Sequence, residues 1–286
     1  FPSKVRWVRT GSEAVSASVA IAQLVTNRKS VAVFEDAYHG WHPWTTDTVT
    51  LMPTDSSEAW SSLNSFAAVV VESPRWHLVN GTDVKRLTKL RSACDSAGTL
   101  LIYDDVVYGF RYHKAGLQGT TGVAPDLACF SKALGNGIPV GCVAGEPDLM
   151  EEARYRVSST FGGEMLGLAA ANAVLTLHQN KDVCGDLLRI GIQLRTELDK
   201  VLKNTEISVS GTPHHFRFHG TSPEVFDRFL QLCIGFETDS LRVDHGAERV
   251  LIHRDANNVN LAMDKTVREQ IVHTVKLSAS EVSQSE

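Results

Sequence analysis

The segment Val84-Lys85-Arg86-Leu87-Thr88-Lys89-Leu90-Arg91-Ser92-Ala93-Cys94-Asp95-Ser96-Ala97-Gly98-Thr99-Leu100-Leu101-Ile102-Tyr103-Asp104-Asp105 changes its hydrophobic period part-way along. Val84, Leu87, Leu90, Cys94 and Ala97 fall three and four apart, the spacing of one helical face. Gly98 follows as a C-terminal cap, because glycine takes the left-handed conformation that ends a helix. Thr99 to Tyr103 then runs without polar alternation, as a strand covered on both faces does. A second such run, Ala67 to Glu72, lies upstream. Strand, helix, strand in this order is a right-handed crossover unit, and the fold class is α/β.

Working outward, Ser30 to Phe34, Leu127 to Phe130 and Cys142 to Gly145 are further strand candidates for a mixed, mostly parallel sheet flanked by helices. Glu164 to His178 reads as a helix rich in small residues, and a longer helix is predicted from about Asp182 to Leu202. Strand-like pieces at Glu206 to Ser210 and Arg249 to Ile252, with helices near Pro223 to Ile234 and Lys265 to Leu277, suit a small α+β lobe. The polar residues Ser278 to Glu286 are expected to fray. The predicted division is 1–180 for a large domain and 181–286 for a small one. The chain has 286 residues, 43% hydrophobic and 21% charged, with a net charge of −5, which argues against a nucleic-acid or anionic-membrane surface. No apolar run is long enough for a transmembrane helix, and the start shows no signal-peptide pattern. Five scattered cysteines without a C-x-x-C pair read as buried free thiols, which makes the cytoplasm the expected location.

Several short motifs can carry chemistry. In Thr10-Gly11-Ser12-Glu13 the first and last residues have capping-box spacing, and Val15, Val19 and Ala22 continue as an apolar stripe. A helix starting there offers free N–H groups and a positive dipole end to a phosphate, although for the tetrapeptide alone an ordinary helix cap is the plainer reading. Asp104 and Asp105 end a buried strand at the edge where open α/β sheets bind ligands, and an acid there can hold a protonated ring nitrogen. As turn or cap residues they need no ligand at all. In Asp126-Leu127-Ala128-Cys129-Phe130-Ser131-Lys132-Ala133-Leu134-Gly135-Asn136-Gly137 a strand delivers a lysine into a glycine-bearing loop. Desolvation there lowers an amine's pKa and makes it a nucleophile, whereas a solvated loop lysine does nothing. Tyr38-His39-Gly40 follows a strand and can stack on a flat heterocycle. Thr160, in Ser159-Thr160-Phe161-Gly162-Gly163, is read at a helix start as another phosphate ligand.

Other readings fall away or stay open. A P-loop pattern and a G-x-G-x-x-G turn are both missing, which disfavours nucleotide hydrolysis and nicotinamide chemistry. Trp41 and Trp44 wall an apolar pocket or pack beneath a lobe. Arg254 binds a substrate carboxylate or, more ordinarily, makes an exposed salt bridge. His214, His215 and His219 lack metal-ligand spacing, and no metal is expected.

Taken in order, these motifs resemble the class III aminotransferases of pyridoxal-phosphate (PLP) fold type I, most closely the branch of glutamate-1-semialdehyde 2,1-aminomutase. The resemblance runs from about Val5 to Ala173 and is very weak beyond Asn180. Thr10-Gly11-Ser12-Glu13-Ala14 is similar to the family's phosphate turn, Tyr38-His39-Gly40 to its Y-H-G, and Tyr103-Asp104-Asp105-Val106 to its (F/Y)-D-E-V. Pro125-Asp126-Leu127, Ser131-Lys132 and Gly135-Asn136-Gly137-Ile138-Pro139-Val140-Gly141 match the pattern around the family's Schiff-base lysine. The resemblance implies Lys132 as the cofactor's anchor and proton-moving base, and Asp104 at the pyridine nitrogen. It places Gly11 and Ser12 at the phosphate, Tyr38 and Val106 against the ring, and His39 and Glu72 nearby. Thr160 would reach the phosphate of a neighbouring subunit in a homodimer. It implies an aminotransferase moving an amino group between a small amine or amino acid and a carbonyl acceptor. A 2,1-aminomutase and a non-catalytic PLP-fold binding module are the alternatives. Asp105 stands where the family usually has Glu, Val107 and Tyr108 alter the following turn, and Ser73 separates Glu72 from Pro74. The long segment that precedes the phosphate turn in the family has little counterpart here, and with the motifs intact a compact, functional member is expected rather than a fragment.

Overall fold

A computed structural model describes residues 4–35, 37–52, 57–72, 81–152, 154, 157–233 and 257–284. The chain divides into two compact units, Phe1–Asp182 and Val183–Glu286. Arg254, the piece Arg249 to Ile252, and Ser73-Pro74 lie outside the described residues.

The first unit contains β1 (Lys4–Val8), α1 (Gly11–Thr26), β2 (Ser30–Phe34), α2 (Trp44–Asp47), β3 (Val49–Met52), β4 (Phe66–Glu72), α3 (Gly81–Ala97) and β5 (Leu100–Asp104). It continues through α4 (Gly116–Thr121), β6 (Leu127–Phe130), β7 (Gly141–Gly145), α5 (Pro147–Glu152) and α6 (Met165–Asn180). Among the described residues the strands form one seven-stranded sheet in the order β1-β7-β6-β5-β4-β2-β3. β2, β3, β4, β5 and β6 are parallel to their neighbours in that group, while β7 runs against both β6 and β1.

Both faces of the sheet are covered, which is why its strands read as continuous apolar runs. On one face Val31, Val33, Ala68, Val70, Ile102, Leu127 and Val143 pack against Ala14, Val15, Ala17, Ile21 and Ala22 of α1. On the other, Ala32, Val69, Val71, Leu101, Tyr103 and Ala128 meet Leu87, Leu90 and Cys94 of α3. Each fully buried aliphatic side chain of this kind contributes roughly 1.5–3 kcal/mol. α3 ends as its sequence requires, with Gly98 at φ +59°. Arg28 ties this end of the sheet together by donating to the carbonyls of Phe66, Ala97 and Gly98. Cys94, Cys129, Cys142 and Cys233 are buried, Cys184 is partly buried, and all are free thiols. Burial pushes the Cys94 and Cys142 thiols up to about 12, so they are protonated at neutral pH.

The second unit contains α7 (Val183–Val201), β8 (Ile207–Thr212), β9 (His215–Gly220), α8 (Pro223–Cys233), β10 (Asn257–Asn258) and α9 (Lys265–Gln284). β8, β9 and β10 form an antiparallel sheet in the order β10-β9-β8. Phe216, Phe218, Val225, Phe229 and Leu232 bury themselves between the strands and α8. His214 and His215 are buried here and His219 is exposed on β9.

One sequence expectation is overturned in this unit. The tail from Ser278 does not fray: α9 continues to Gln284. Val275, Ser278, Ala279 and Val282 are all buried, at 1% exposure or less. These four extend a helical stripe at i, i+3, i+4 and i+7, which the many serines of the segment disguise. No described helix is long and apolar enough to cross a membrane.

If the tail is structural, Val282→Ala should lower unfolding free energy by about 2 kcal/mol. Urea denaturation followed by circular dichroism measures it. A change within a few tenths of a kcal/mol would mean that the tail contributes nothing.

Candidate functional site

Strand direction brings the motifs to one edge. β2, β4, β5 and β6 all run towards the edge at which Tyr38 follows β2, Glu72 ends β4, Asp104 ends β5 and Lys132 follows β6. Glu72 and Asp104 are register partners, and Asp104 is paired in turn with Cys129, three residues before Lys132. β1 runs the same way, so Val8, opposite Gly141, delivers the start of α1 to this edge as well.

The capping box at that start is complete. The Thr10 hydroxyl accepts the Glu13 N–H at 3.1 Å, and the Glu13 carboxylate accepts the N–H groups of Arg9 and Thr10. Ala14 N–H goes to the Thr10 carbonyl. The N–H groups of Gly11 and Ser12 are the ones left to face an anion, at the positive end of a 16-residue helix. A Cβ on Gly11 would sit 2.5 Å from Val106 Cγ1, so only glycine lets these two segments meet. Gly40, at φ +92°, brings the Tyr38-His39-Gly40 turn against Ser12, where a Cβ would lie 2.6 Å from the serine Oγ.

Behind this cradle lies a buried pair. His39 Nδ1 is 2.8 Å from Asp104 Oδ2, with both side chains at most 5% exposed. The imidazole tautomer with hydrogen on Nδ1 donates to the carboxylate, and Val106 N–H donates to the other oxygen, Oδ1, at 3.2 Å. His39 Nε2 is buried with no partner among the described residues. Glu72 accepts the Tyr38 N–H at 3.0 Å and so fixes the turn whose Tyr38 ring stands 57% exposed over the edge.

Lys132 opens a 3₁₀ turn, Lys132–Leu134, in the left-handed region at φ +44°. A non-glycine residue held there is strained, and such strain recurs at functional sites. Below it the buried Ser131 hydroxyl donates to the Val140 carbonyl at 2.7 Å, which closes the loop. Although the residue as a whole is exposed, desolvation of its amine pushes the Lys132 ammonium's pKa down. Asp104 opposes that shift, Arg111 adds to it and Glu72 opposes it. These three effects report which charges surround the amine.

The structure thus brings Gly11, Ser12, Tyr38, His39, Glu72, Asp104, Val106 and Lys132 together. Thr160 is not among them. It is exposed, and the expectation that it starts a helix is corrected: the N-cap of α6 is Glu164, whose carboxylate takes the N–H groups of Leu166 and Gly167. The buried Asp105 carboxylate accepts the Leu117 N–H at the start of α4. Trp41 is 76% exposed, and Trp44 packs against the core. Arg111 was missed in the sequence. Its signal was a single cation inside the aromatic run Tyr108-Gly109-Phe110-Arg111-Tyr112 directly after Asp104.

The family model Aminotransferase class-III matches residues 58–213, more than half of the chain. The chain belongs to the class-III aminotransferase family. That match passes Asn180, beyond which the sequence resemblance was very weak. The chain is similar to glutamate-1-semialdehyde 2,1-aminomutase of Thermomicrobium roseum, with 30% identity over 256 residues that cover 78% of this chain and 58% of that one. It is also similar to 2'-deamino-2'-hydroxyneamine transaminase of Streptomyces kanamyceticus, with 32% identity covering 65% of this chain and 50% of that one. The chain therefore spans half to three-fifths of the length of these curated relatives. Its fold matches FumI of Sphingopyxis sp. MTA144, solved in its PLP internal aldimine form, with a TM-score of 0.84 and 22% identity over 98% of this chain and 71% of that one. The fold is the type I fold of PLP enzymes.

The edge also fits a planar, phosphorylated pyridine. It has N–H groups at a helix start, an exposed aromatic ring, a buried carboxylate with acceptor capacity to spare and an amine of lowered pKa. The lowered pKa gives Lys132 a larger neutral fraction than a surface lysine at the same pH. At pH 8 an amine-acylating reagent should therefore modify Lys132 ahead of the lysine of an added unstructured peptide, and the advantage should vanish above pH ~10.4, where ordinary lysines also lose their protons. Peptide mass spectrometry of a timed reaction reads this directly. Equal rates at pH 8 would contradict it.

Proposed function

We propose that the protein is a PLP-dependent aminotransferase of the glutamate-1-semialdehyde aminomutase branch. It would transfer an amino group from an amine or amino-acid donor to a keto acid, aldehyde or ketone. The observation that carries this reading is the meeting of the Gly11-Ser12 cradle, the His39–Asp104 pair and Lys132 at one sheet edge.

When bound, PLP supplies an electron sink that stabilises negative charge on the carbon bearing the transferred nitrogen. The chain's own residues do the rest. Gly11 and Ser12 would hold the phosphate through backbone N–H groups and the serine hydroxyl. Tyr38 and Val106 would hold the ring. Asp104, kept in place by His39 and by the Val106 N–H, would keep a proton on the pyridine nitrogen. Glu72 steadies the Tyr38 turn. Lys132 would anchor the cofactor and, as a free amine, would take the proton from the substrate's α-carbon and give it back. Its lowered pKa suits that exchange, because a base is most effective when its pKa approaches the working pH.

Residues 1–180 form the cofactor-binding domain in this reading, and 181–286 the small domain. Phe161, Met165 and Leu166, 62–84% exposed next to Thr160, support a homodimer in which Thr160 serves the neighbouring subunit's phosphate. The free thiols support a cytoplasmic location. The Thermomicrobium roseum relative favours a second reading, a 2,1-aminomutase in which one molecule gives and receives the amino group. The two differ in whether turnover requires an added keto acid.

PLP added to the purified chain should give a visible absorbance that borohydride fixes to the peptide containing Lys132. Lys132→Ala should lose that fixation and at least about a hundredfold of turnover. Undiminished turnover in Lys132→Ala would refute the assignment.

A further inference from the structure

We infer that Arg111 is the anion-binding group of the Lys132 pocket, so that the amine substrate carries a carboxylate. This rests on the proposal above that Lys132 is the reactive amine.

Three observations meet at Arg111. Among the described residues its guanidinium has no ion-pair partner, and Nη1 is buried without a hydrogen bond. A desolvated cation with unmade hydrogen bonds is costly unless an anion comes to it. Its position is fixed from both sides. Arg111 N–H closes a turn on the Tyr108 carbonyl. Its neighbour Phe110 meets Phe130 in a tilted ring contact, with centroids 5.5 Å apart, and packs with Ala133 and Leu134, the two residues after Lys132. Finally, the other charges that reach Lys132 are already engaged: Asp104 by His39 and the Val106 N–H, Glu72 by the Tyr38 N–H. The charge of Arg111 is felt at Lys132, where it helps to hold the ammonium's pKa down. Arg111 therefore has both the unmet donor and the proximity that a substrate anion needs. A planar guanidinium also offers the paired N–H geometry that suits a carboxylate.

The test is titration calorimetry of propionate and propionamide, ligands of one shape that differ in charge, into the chain with and without PLP. Wild type should prefer propionate, and Arg111→Gln should weaken propionate by about 10- to 100-fold while leaving propionamide unchanged. Arg111→Lys, which keeps the charge and loses the fork, should fall between the two and decides the matter if Arg111→Gln does not fold. Equal binding of the two ligands by wild type would overturn the inference, as would a preference that survives in both variants. If the variants weaken PLP and leave the propionate preference intact, Arg111 serves the cofactor phosphate and the inference is again overturned. Borohydride fixation at Lys132 is scored separately, so failure of the cofactor assignment and failure of the anion subsite give different results.

Discussion

The direction of the strands is the constraint on which the rest depends. Because β2, β4, β5 and β6 are parallel and both sheet faces are filled, their C-terminal ends open at one edge, and polar residues at those ends have nowhere else to face. The reversal at β7 is equally important. By running against both β6 and β1, it lets β1 rise parallel to the central strands and brings the N-terminus of α1 to that same edge. The start of α1 and the loop of Lys132, more than a hundred residues apart in sequence, thereby come to one edge.

Within that edge the electrostatics are arranged around a carboxylate that cannot escape. Removing an ion such as Asp104 from water costs several kcal/mol unless partners compensate. Here the partners are His39 on one oxygen and a backbone N–H on the other. Hydrogen bonds from fixed donors hold the acid in place more firmly than solvent could. Lys132 differs in both respects: the residue is exposed and its backbone is strained. A buried, hydrogen-bonded acid and an exposed amine thus stand at the same edge.

The large domain was far more legible in the sequence than the small one, for a physical reason. Its strands are buried on both faces and its motifs sit at their ends, so hydrophobic run and polar terminus appear together, as in Leu101-Ile102-Tyr103-Asp104. β1 was not read as a strand because Lys4 and Arg6 interrupt it at the sheet's edge. The end of α9 was hidden because serine is neutral in composition but small enough to be buried at Ser278. The position of Thr160 depended on where α6 begins. Glu164, a capping acid that sequence alone cannot tell from a first-turn glutamate, set that boundary.

Arg111 illustrates a different limit. Lys132, Asp104 and Gly11 are recognisable because backbone form and side-chain type are linked: a cradle needs glycine, and a strand end tolerates aspartate. An arginine that supplies charge from a loop carries no such link, since many residues satisfy the turn at Tyr108–Arg111 equally well. What distinguishes Arg111 is a relation that exists only after folding: a half-buried guanidinium whose Nη1 has no hydrogen-bond partner among the described residues, with its charge felt at an amine of lowered pKa. Groups that build a site leave traces in local sequence, because they must also build the backbone. Groups that tune it, or select what enters, are constrained only by where the rest of the chain puts them. For that reason the chemistry of this edge could be read before its substrate preference.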